Sequence, residues 1–567
     1  MRNKHYLRLV GCIATAGVLA ILYIFGVPQL ARFRFRLDLP PYDWGVYGVA
    51  PFRSYQSCSL TSPRLETLQW NPRCNSDFTF LAPRGFSVAE PSLLILDAQG
   101  DPVWVDYSWG EVHDFRVQRF QGKDYLTFWA GVQRDIHGQG SWYMLSSSYQ
   151  LRYKISPVGR NLLGDLHEFQ ITDSGTALVT IYESIPFDLT AIGGPSSGWI
   201  YDCLFQEIDI VTGELLFEWR ASNHYPISSS FLPMVGGDMS KPFDAFHMNS
   251  VDKDIRGNYL VSMRHTHTVS NIDGKTGAVL WTLGGRLNDF SDVTNSGAKE
   301  FSWQHDARWR GDNTITLLNN AAREFDSPGP YSYGMVIQLD IEARQATLQT
   351  IYSDSQRVLA TSQGNLQVLQ NGNVFVGWGH SAAFTEFTPE GEILCDVHFG
   401  ASAYFSFGRI VSYRTFKGSW SGAPLTKPKA KMIDGGVYVS WNGATDVWEW
   451  QLEVADQPQS EKPTFTKLEK TRKIGFETKI SSPTANQYTE FRVVALDAHG
   501  VVLGVTETMK TEAMLQGNSS KLRILLTIAL ISCAFLAVWF FWKRYGPFRI
   551  WPWRYQVYHT VPSDKSS

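Results

Sequence analysis

The sequence is poor in charge, and the charge that it carries is nearly balanced. Only 19% of the 567 residues are Asp, Glu, Lys or Arg, and 51 basic against 54 acidic side chains give a net charge of −3. Such a chain lacks the basic excess with which proteins bind nucleic-acid phosphates. The composition therefore excludes nucleic acid as a general partner, and the hydrophobic content of 44% excludes a disordered or fibrous protein.

A phosphate-binding loop is also absent, because no GxxxxGKS or GxxxxGKT string occurs. We therefore expect no nucleotide and no other cofactor. What is abundant is aromatic residues, at 14% of the chain, together with 47 glycines. This composition favours strands and turns over helices, so we predict an all-β fold.

Long hydrophobic runs are confined to the two ends of the chain, at residues 9–27 and 524–542. Each run is long enough for a transmembrane helix, and the basic residues of 543–567 predict a cytoplasmic tail. Residues 1–35 then form a cytoplasmic stub with a signal anchor, or a cleaved signal peptide. On both interpretations the intervening chain is lumenal or extracellular, in the secretory pathway or at the cell surface.

Cysteine is scarce, with six residues, two of which lie inside the hydrophobic runs. The other four form an even number, as expected of disulfides in an oxidising compartment. We pair Cys58 with Cys74 and Cys203 with Cys395, one of three connectivities that the sequence allows. The single glycosylation sequon, at Asn518, lies close to the second run.

One sequence unit recurs through the middle of the chain, and four of its copies contain a histidine at the same point. The copies are VHDFRV, LHEFQI, FHMNSV and QHDARW, which hold His113, His167, His247 and His305, and a degenerate copy, GNLQV, starts at Gly364. Spacings of 54, 80, 58 and 59 residues suit four strands per unit, as in a β-propeller blade. We predict a six-bladed propeller over residues 50–421, closed by mixing early and late strands, with five or seven blades as alternatives.

The pattern changes after residue 421, where a Pro- and Lys-containing linker is followed by alternating strands with an early Trp. Residues 424–512 resemble a fibronectin type III or immunoglobulin-like β-sandwich. This resemblance concerns the fold and carries no function.

If each repeated histidine begins the innermost strand of its blade, the imidazoles converge at one mouth of a channel. His247 and Asn249 are two residues apart and are expected to share a strand face. The next strand ends in Arg264, His265 and His267. An Arg and an Asn beside neutral imidazoles suit the binding and transfer of a tetrahedral anion.

Around His305, Trp303 supplies an aromatic wall, whereas Asp306 is expected to point to the opposite strand face. We interpret His113 as a hydrogen-bonding residue between blades. No metal site is predicted, because no third ligand follows His265 and His267 at a recognisable spacing.

Residues 246–285, FHMNSVDKDIRGNYLVSMRHTHTVSNIDGKTGAVLWTLGG, followed by FSWQHDARW and NTITLLNNA, resemble the arylsulfotransferase (ASST) family, especially its eukaryotic, largely fungal, branch. The resemblance covers roughly residues 50–400, and the segment YVSWNGATDVWEW is common in that branch. It implies a six-bladed propeller that moves a sulfuryl group between phenols through a transiently sulfated histidine, without 3'-phosphoadenylyl sulfate. Bacterial members lack the C-terminal sandwich and the hydrophobic tail.

The resemblance also implies residue roles. His305 in QHDA is the nucleophile, His247 and Asn249 hold the sulfuryl group, and Arg264, or by a one-residue shift its neighbour His265, takes the position of the family's arginine. His167 matches an earlier channel histidine, and the expected partners are a phenolic donor and a phenolic acceptor. Two alternatives stay open: a non-catalytic membrane-tethered propeller that binds a partner or ligand, and a lyase, cyclase or isomerase acting on a secondary metabolite. The oligomeric state is not predicted.

Overall fold

The computed structural model describes residues 39–510 except 135, 293–294, 312, 324–328, 456–463, 482–487 and 489. Strands dominate these residues, and their helical parts are short 3₁₀ turns, so the predicted all-β fold is confirmed. The predicted spans 9–27 and 524–542, the tail 543–567 and Asn518 lie outside the described residues. Within the described ranges, no helix is long and apolar enough to cross a membrane.

The strands of the N-terminal half are short in the first hairpins and reach twelve residues further on. They are β1 (Phe52–Ser54), β2 (Thr61–Pro63), β3 (Glu66–Gln69), β4 (Phe78–Leu81), β5 (Leu93–Leu96), β6 (Pro102–Asp106), β7 (Val112–Phe120), β8 (Lys123–Arg134), β9 (His137–Leu145), β10 (Leu151–Ile155), β11 (Gly164–Ile171), β12 (Thr176–Phe187), β13 (Gly198–Asp209) and β14 (Leu215–Arg220).

The strands that follow continue the antiparallel pattern up to a last short strand. They are β15 (Met248–Lys253), β16 (Tyr259–Met263), β17 (Thr268–Ile272), β18 (Val279–Leu283), β19 (His305–Trp309), β20 (Thr314–Asn319), β21 (Tyr333–Asp340), β22 (Gln345–Tyr352), β23 (Asn365–Val368), β24 (Val374–Gly377), β25 (Ala383–Phe387), β26 (Ile393–His398) and β27 (Phe416–Gly418).

Hydrogen bonding groups these strands into sheets that we number along the chain. Sheet 1 has the order β27-β4-β5-β6, sheet 4 is β15 to β18, sheet 5 is β19 to β22, and sheet 6 is β23 to β26 with β3 at its edge. Strands β7 to β10 (sheet 2) and β11 to β14 (sheet 3) are joined where Gly140 of β9 pairs with Gly164 of β11. The pairs β27–β4 and β26–β3 join early to late strands.

The hydrophobic cores lie between consecutive sheets. Separate clusters of buried residues pack sheet 1 on sheet 2, sheet 2 on sheet 3, sheet 3 on sheet 4 and sheet 4 on sheet 5. A further cluster combines residues of sheets 5 and 6 with residues of sheet 1, including Leu318, Trp378 and Leu94. This cyclic order is the one that a propeller requires, while the number of blades stays a prediction.

The C-terminal strands form two further sheets. They are β28 (Lys429–Ile433), β29 (Gly436–Ser440), β30 (Glu449–Ala455), β31 (Phe465–Arg472), β32 (Glu477–Ser481), β33 (Glu490–Leu496), β34 (Val502–Val505) and β35 (Met509–Lys510). One sheet has the order β28-β29-β32 and the other β31-β30-β33-β34, with β35 paired to β33. Residues from both sheets, among them Val439, Trp450 and Val493, share one buried cluster. The assignment to a fibronectin or immunoglobulin type stays a prediction.

Each repeated histidine lies at or beside a β-bulge in the first strand of its sheet. The register shifts fall between His113 and Arg116, Gly164 and Phe169, Met248 and Ser250, and His305 and Arg308. A bulge interrupts the alternation of side chains and re-aims the residues beside it. Neighbouring residues of the repeat therefore do not follow simple strand alternation.

The predicted disulfide pairing is wrong. Cys74 pairs with Cys395, with Cα atoms 6.2 Å apart, whereas Cys58 and Cys203 are free thiols. The cause is the pairing of β3 with β26, which brings the turn after β3 beside Cys395. Cys203 is buried within β13 in the core between sheets 3 and 4, away from both.

Candidate active site

Four imidazoles from three sheets lie together and are nearly inaccessible to solvent. The ring of His247, which directly precedes β15, is 4.8 Å from His167 of β11, 4.5 Å from His265 and 5.7 Å from His137 of β9 (centroid distances). All four residues are buried. The structure therefore brings His167, His247 and His265 together as the sequence predicted, and adds His137. We call these four residues the histidine cluster.

Two buried carboxylates orient the rings of the cluster. Asp244 accepts hydrogen bonds at Oδ2 from Nδ1 of His247 (2.5 Å) and Nε2 of His137 (3.1 Å), and its backbone oxygen accepts one from Nδ1 of His265 (2.7 Å). Asp165 accepts a hydrogen bond from Nδ1 of His167. Because the hydrogen bond to Asp244 holds the proton of His247 on Nδ1, Nε2 of the neutral His247 ring carries the lone pair.

The protonation states follow from burial and charge. Burial opposes ionisation of Asp244, but the imidazoles of His247 and His265 outweigh it and hold the pKa of the Asp244 carboxyl well below its usual range. Burial lowers the pKa of His247 to about 3, although Asp244 opposes the shift. At neutral pH the cluster therefore combines an ionised carboxylate with a neutral imidazole that can act as base or nucleophile.

His305 begins β19 and adopts a defined tautomer. Asn320 donates from Nδ2 to the carbonyl oxygens of Ala360 and Gln363 (both 2.9 Å), which turns its Oδ1 towards Nδ1 of His305 at 2.7 Å. Nδ1 thus carries the proton and Nε2 the lone pair, which accepts a hydrogen bond from the backbone N–H of Gln363 at 3.2 Å. The ring of Tyr413 links His305 (6.5 Å) to His167 (5.7 Å).

Arg264 lies beside the cluster in the turn between β16 and β17. Its guanidinium donates to Nε2 of His265 (3.1 Å) and to the carbonyl oxygen of Thr361 (3.0 Å), and it lies 5.4 Å from the ring of Trp303. Burial is the main cause that lowers the pKa of His305, and the charge of Arg264 lowers it further. The imidazole of His305 is therefore neutral. The site thus holds a cation next to neutral imidazoles, an arrangement that suits an anionic substrate group.

Comparison with known proteins identifies the family of this chain. The model of the arylsulfotransferase (ASST) family matches residues 116–400, just over half of the chain. The chain belongs to the arylsulfotransferase family. At the level of the family this indicates an arylsulfotransferase-like transferase with phenolic substrates, and the matched region contains the whole histidine cluster, Arg264 and His305. Membership of the fungal branch stays a prediction.

No curated protein matches this member of the arylsulfotransferase family significantly. Similar solved structures include a protein of unknown function from Bacteroides caccae, at 14% identity, covering 60% of this chain and 98% of that chain with a TM-score of 0.35. Virginiamycin B lyase from Staphylococcus aureus matches at 5% identity over 67% of this chain and 96% of its own, with a TM-score of 0.29. At these values neither structure informs the chemistry of the site.

Two other residues that the sequence predicted for this site, Asn249 and His267, lie outside the histidine cluster. Asn249 does not extend the cluster, since its carboxamide donates to the backbone oxygen of Gln304 at 2.7 Å, in a strand whose alternation is broken by a bulge. His265 and His267 do not end a strand, because they lie in the turn that begins after β16. They diverge there: His265 contacts His247, whereas His267 stacks on Phe231 at 4.2 Å.

Trp303 is fully buried between these two histidines, with its ring 5.8 Å from that of His265 and 4.5 Å from that of His267. It forms a wall of the site, as its position in the sequence suggested. The ring of His113 packs 5.3 Å from Trp129 and 5.7 Å from Tyr413, next to the cluster rather than within it.

The residue after three of the four repeated histidines, at His113, His167 and His305, belongs to a buried ionic network. Asp306 does not contact His305 but binds Arg308 (2.8 Å), as the sequence predicted when it placed Asp306 on the opposite face. Arg414, which precedes β27, completes the network by contacting carboxylates from three sheets. Its members are Asp114, Arg116, Glu168, Asp306, Arg308 and Arg414. The network contains three acidic and three basic groups and is electrically balanced.

Sequence reasoning missed five residues of this site: His137, Asp165, Asp244, Asn320 and Tyr413. A signal existed for the two aspartates, which precede a repeated histidine by two and by three residues. His137 lies on β9 and Tyr413 precedes β27, both outside the repeated unit, so no periodicity indicates them.

Proposed function

We propose that this protein transfers a sulfuryl group from a phenolic sulfate ester to a second phenol, through a histidine of the site and without a nucleotide donor. The observation that carries the proposal is the convergence of buried imidazoles, oriented by Asp165, Asp244 and Asn320, beside the guanidinium of Arg264. Of these rings, His247 and His305 are neutral and have their lone pairs on Nε2. We further propose that sheets 1 to 6 are six blades around this site, and that residues 424–512 form a sandwich domain.

We assign the nucleophile to His305 and acid–base catalysis to His247. The lone pair of His305 lies on Nε2, and the hydrogen bond that it accepts from Gln363 is long at 3.2 Å, so an approaching sulfur can replace that bond. His247 makes no hydrogen bond through Nε2 to a described residue, and its other ring nitrogen, Nδ1, donates to Asp244. An imidazolium formed at His247 would be stabilised by that carboxylate.

The reaction proceeds in two displacements. The Nε2 lone pair of His305 forms an N–S bond while the S–O bond to the donor breaks, and the donor phenolate leaves with the electron pair. The acceptor phenol then gives its proton to Nε2 of His247 and attacks sulfur, which breaks the N–S bond and restores His305. His247 finally passes this proton to the released donor phenolate and returns to its neutral form. Arg264 stabilises the sulfuryl oxygens in both steps.

The test is the release of 4-nitrophenol by the full-length protein from 4-nitrophenyl sulfate in the presence of a phenol. We expect His305→Ala and His247→Ala to abolish release, and His224→Ala, which removes an exposed ring stacked on Trp219, to retain it. Without acceptor, the peptide that contains His305 should gain the mass of one sulfuryl group. Equal release by wild type and His305→Ala would remove His305 from the mechanism, and a sulfated His247 would exchange the two roles.

We also propose that residues 9–27 and 524–542 anchor the protein in a membrane, with the site in the lumen or outside the cell. Their hydrophobic composition supports this. Membranes washed with alkaline carbonate should retain the protein, and added protease should cut only residues 543–567 and the N-terminal stub in sealed vesicles. Release by carbonate would contradict the proposal.

A second candidate is an acid–base enzyme, a lyase, cyclase or isomerase. It is favoured by the two Asp–His pairs whose imidazoles, His167 and His247, face each other at 4.8 Å. A proton could pass from substrate to one ring and from the other ring to the product. This function predicts that the protein converts its substrate when no sulfate ester is added. It also predicts that the peptide containing His305 gains no sulfuryl group when the protein is incubated with 4-nitrophenyl sulfate.

A further inference from the structure

A second group of buried side chains that can bind a metal lies outside the histidine cluster, on sheet 6 and the segment that follows sheet 5. Asp396 and His398 are two residues apart on β26, and Asp354 follows the end of β22 by two residues. One ligand atom from each of the three lies within 4.8 Å of the others. The three residues are between 0% and 3% exposed, so bulk water does not solvate them.

His398 is oriented as metal-bound histidines are. Its Nδ1 donates to the carboxylate of Asp43 at 2.8 Å, and its Nε2 is buried without a hydrogen-bond partner among the described residues. A histidine that binds a metal through one ring nitrogen usually donates its other N–H to a carboxylate or a carbonyl. Asp43, near the start of the described chain, occupies this orienting position.

One of the two carboxylates of the group, that of Asp354, is incompletely satisfied. Oδ2 of Asp354 is buried and, among the described residues, accepts no hydrogen bond. Asp396 accepts hydrogen bonds from the hydroxyls of Thr385 (2.9 Å) and Ser355. A buried carboxylate oxygen and a buried imidazole nitrogen without partners, close to one another, are costly unless a ligand binds both.

Charge also favours a cation at this position. Asp43, Asp354 and Asp396 place three carboxylates together in the interior, and no described Lys or Arg forms an ion pair with any of them. His398 is the one described basic side chain in ion-pair contact with the group. Uncompensated buried charge is strongly destabilising, whereas a divalent ion would neutralise it.

We propose that Asp354, Asp396 and His398 bind one divalent transition-metal ion, with Zn²⁺ as the first candidate, and that Asp43 orients His398. One imidazole nitrogen with two carboxylate oxygens suits Zn²⁺ or Mn²⁺ better than Ca²⁺ or Mg²⁺, which take oxygen ligands. The ion joins β26 of sheet 6 to the connection after β22 of sheet 5. It thus stabilises the region where β26 pairs with β3, independently of the proposed sulfuryl transfer.

The experiment measures metal binding by the full-length protein in detergent. Protein treated with chelator and dialysed is titrated with ZnCl₂ by calorimetry, and bound metal is counted by mass spectrometry. We expect wild type to bind one Zn²⁺ at this site and to melt at a higher temperature when loaded. Asp354→Asn should lose that equivalent, and Asp43→Asn should bind roughly 10- to 100-fold more weakly, as other orienting residues do.

The matched control is Asp244→Asn, because His137, Asp244 and His247 also place three ligand atoms within 4.8 Å. The control should keep the equivalent that Asp354→Asn loses. Co²⁺ absorption of the wild-type protein reports a nitrogen- and oxygen-coordinated ion even if a variant fails to fold. Absence of Zn²⁺ and Mn²⁺ binding to folded wild type, or loss of the ion in Asp244→Asn but not in Asp354→Asn, would overturn the proposal.

Discussion

Substitution of Asp244 by Asn separates the carboxylate from the imidazoles that it orients. Asp244 accepts hydrogen bonds from His247 and His137, and its charge favours an imidazolium at His247. Asn has the same size and retains an oxygen acceptor, but it carries no charge. Because His247 is neutral in the resting enzyme, the substitution leaves its resting protonation unchanged. The cost falls on the step in which His247 gains a proton.

The magnitude follows from the strength of the lost interaction. A hydrogen bond to a charged partner contributes about 1.5–3 kcal/mol. Since about 1.4 kcal/mol corresponds to a tenfold change in rate, kcat should fall about ten- to a hundredfold if the bond acts fully in the transition state. The substrate does not contact Asp244 in this mechanism, so KM should change little. The loss of a buried charge offsets the loss of its hydrogen bonds, so the melting temperature should shift only modestly.

The assay is steady-state release of 4-nitrophenol, with thermal unfolding measured on the same preparations. Asp202→Asn is the matched control, because Asp202 is also fully buried but binds Ser222 and lies near Arg220 instead of an imidazole. We expect the control to retain wild-type kcat. A variant at Asp244 with unchanged kcat, or one whose loss equals that of the control, would refute the role of Asp244 in orienting and stabilising His247.

Three further predictions concern stability. Burial lowers the pKa of His267 from 6.5 to about 3, so between these pH values the unfolded chain binds a proton that the folded chain does not. The free energy of unfolding therefore falls as the pH decreases through this range. Denaturant titrations at pH 6.5 and 4.5 should show that the unfolding free energy of His267→Gln depends less steeply on pH than that of wild type, by about 1.4 kcal/mol per pH unit. Arg414→Met leaves the three buried carboxylates of the network with only Arg116 and Arg308 as partners. It should cost about 3–5 kcal/mol in denaturant unfolding, and a cost below about 1 kcal/mol would contradict the network. Cys395→Ser should lower the melting temperature and abolish its sensitivity to reductant, whereas Cys203→Ser, at a free thiol, should leave that sensitivity intact.

The sequence predicted those parts of the molecule that are periodic. The repeated histidines His113, His167 and His305 lie in the first strands of sheets 2, 3 and 5, and His247 directly precedes the first strand of sheet 4. Repetition also predicted that the four imidazoles would converge. Two of them, His167 and His247, lie in the histidine cluster, whereas His113 and His305 contact Tyr413 beside it.

Features that depend on ring closure or on local bulges could not be predicted in this way. The partner of Cys395 is set by the pairing of β26 with β3, across more than three hundred residues of sequence. The Asn249 carboxamide, which donates to the backbone oxygen of Gln304, lies at a bulge that the letters FHMNSV do not specify. Asp43, Asp354 and His398 meet only because the first residues of the described chain pack against the last strands of sheets 5 and 6.

The bulges also separate the proposed catalytic histidine from the ionic network within one repeated unit. At His305 the imidazole binds Asn320 and contacts Tyr413, while the next residue, Asp306, binds Arg308 in the ionic network. Removal of the imidazole in His305→Ala therefore leaves the ion pairs of Asp306 in place, and loss of activity with unchanged unfolding would report on chemistry alone. Substitution of Asp306 should instead lower stability first, because it leaves a buried arginine partly unpaired. Substitution of His167 can be compared with substitution of Glu168, whose carboxylate binds Arg308 and Arg414, in the same way. This comparison tests the same reasoning independently in sheet 3.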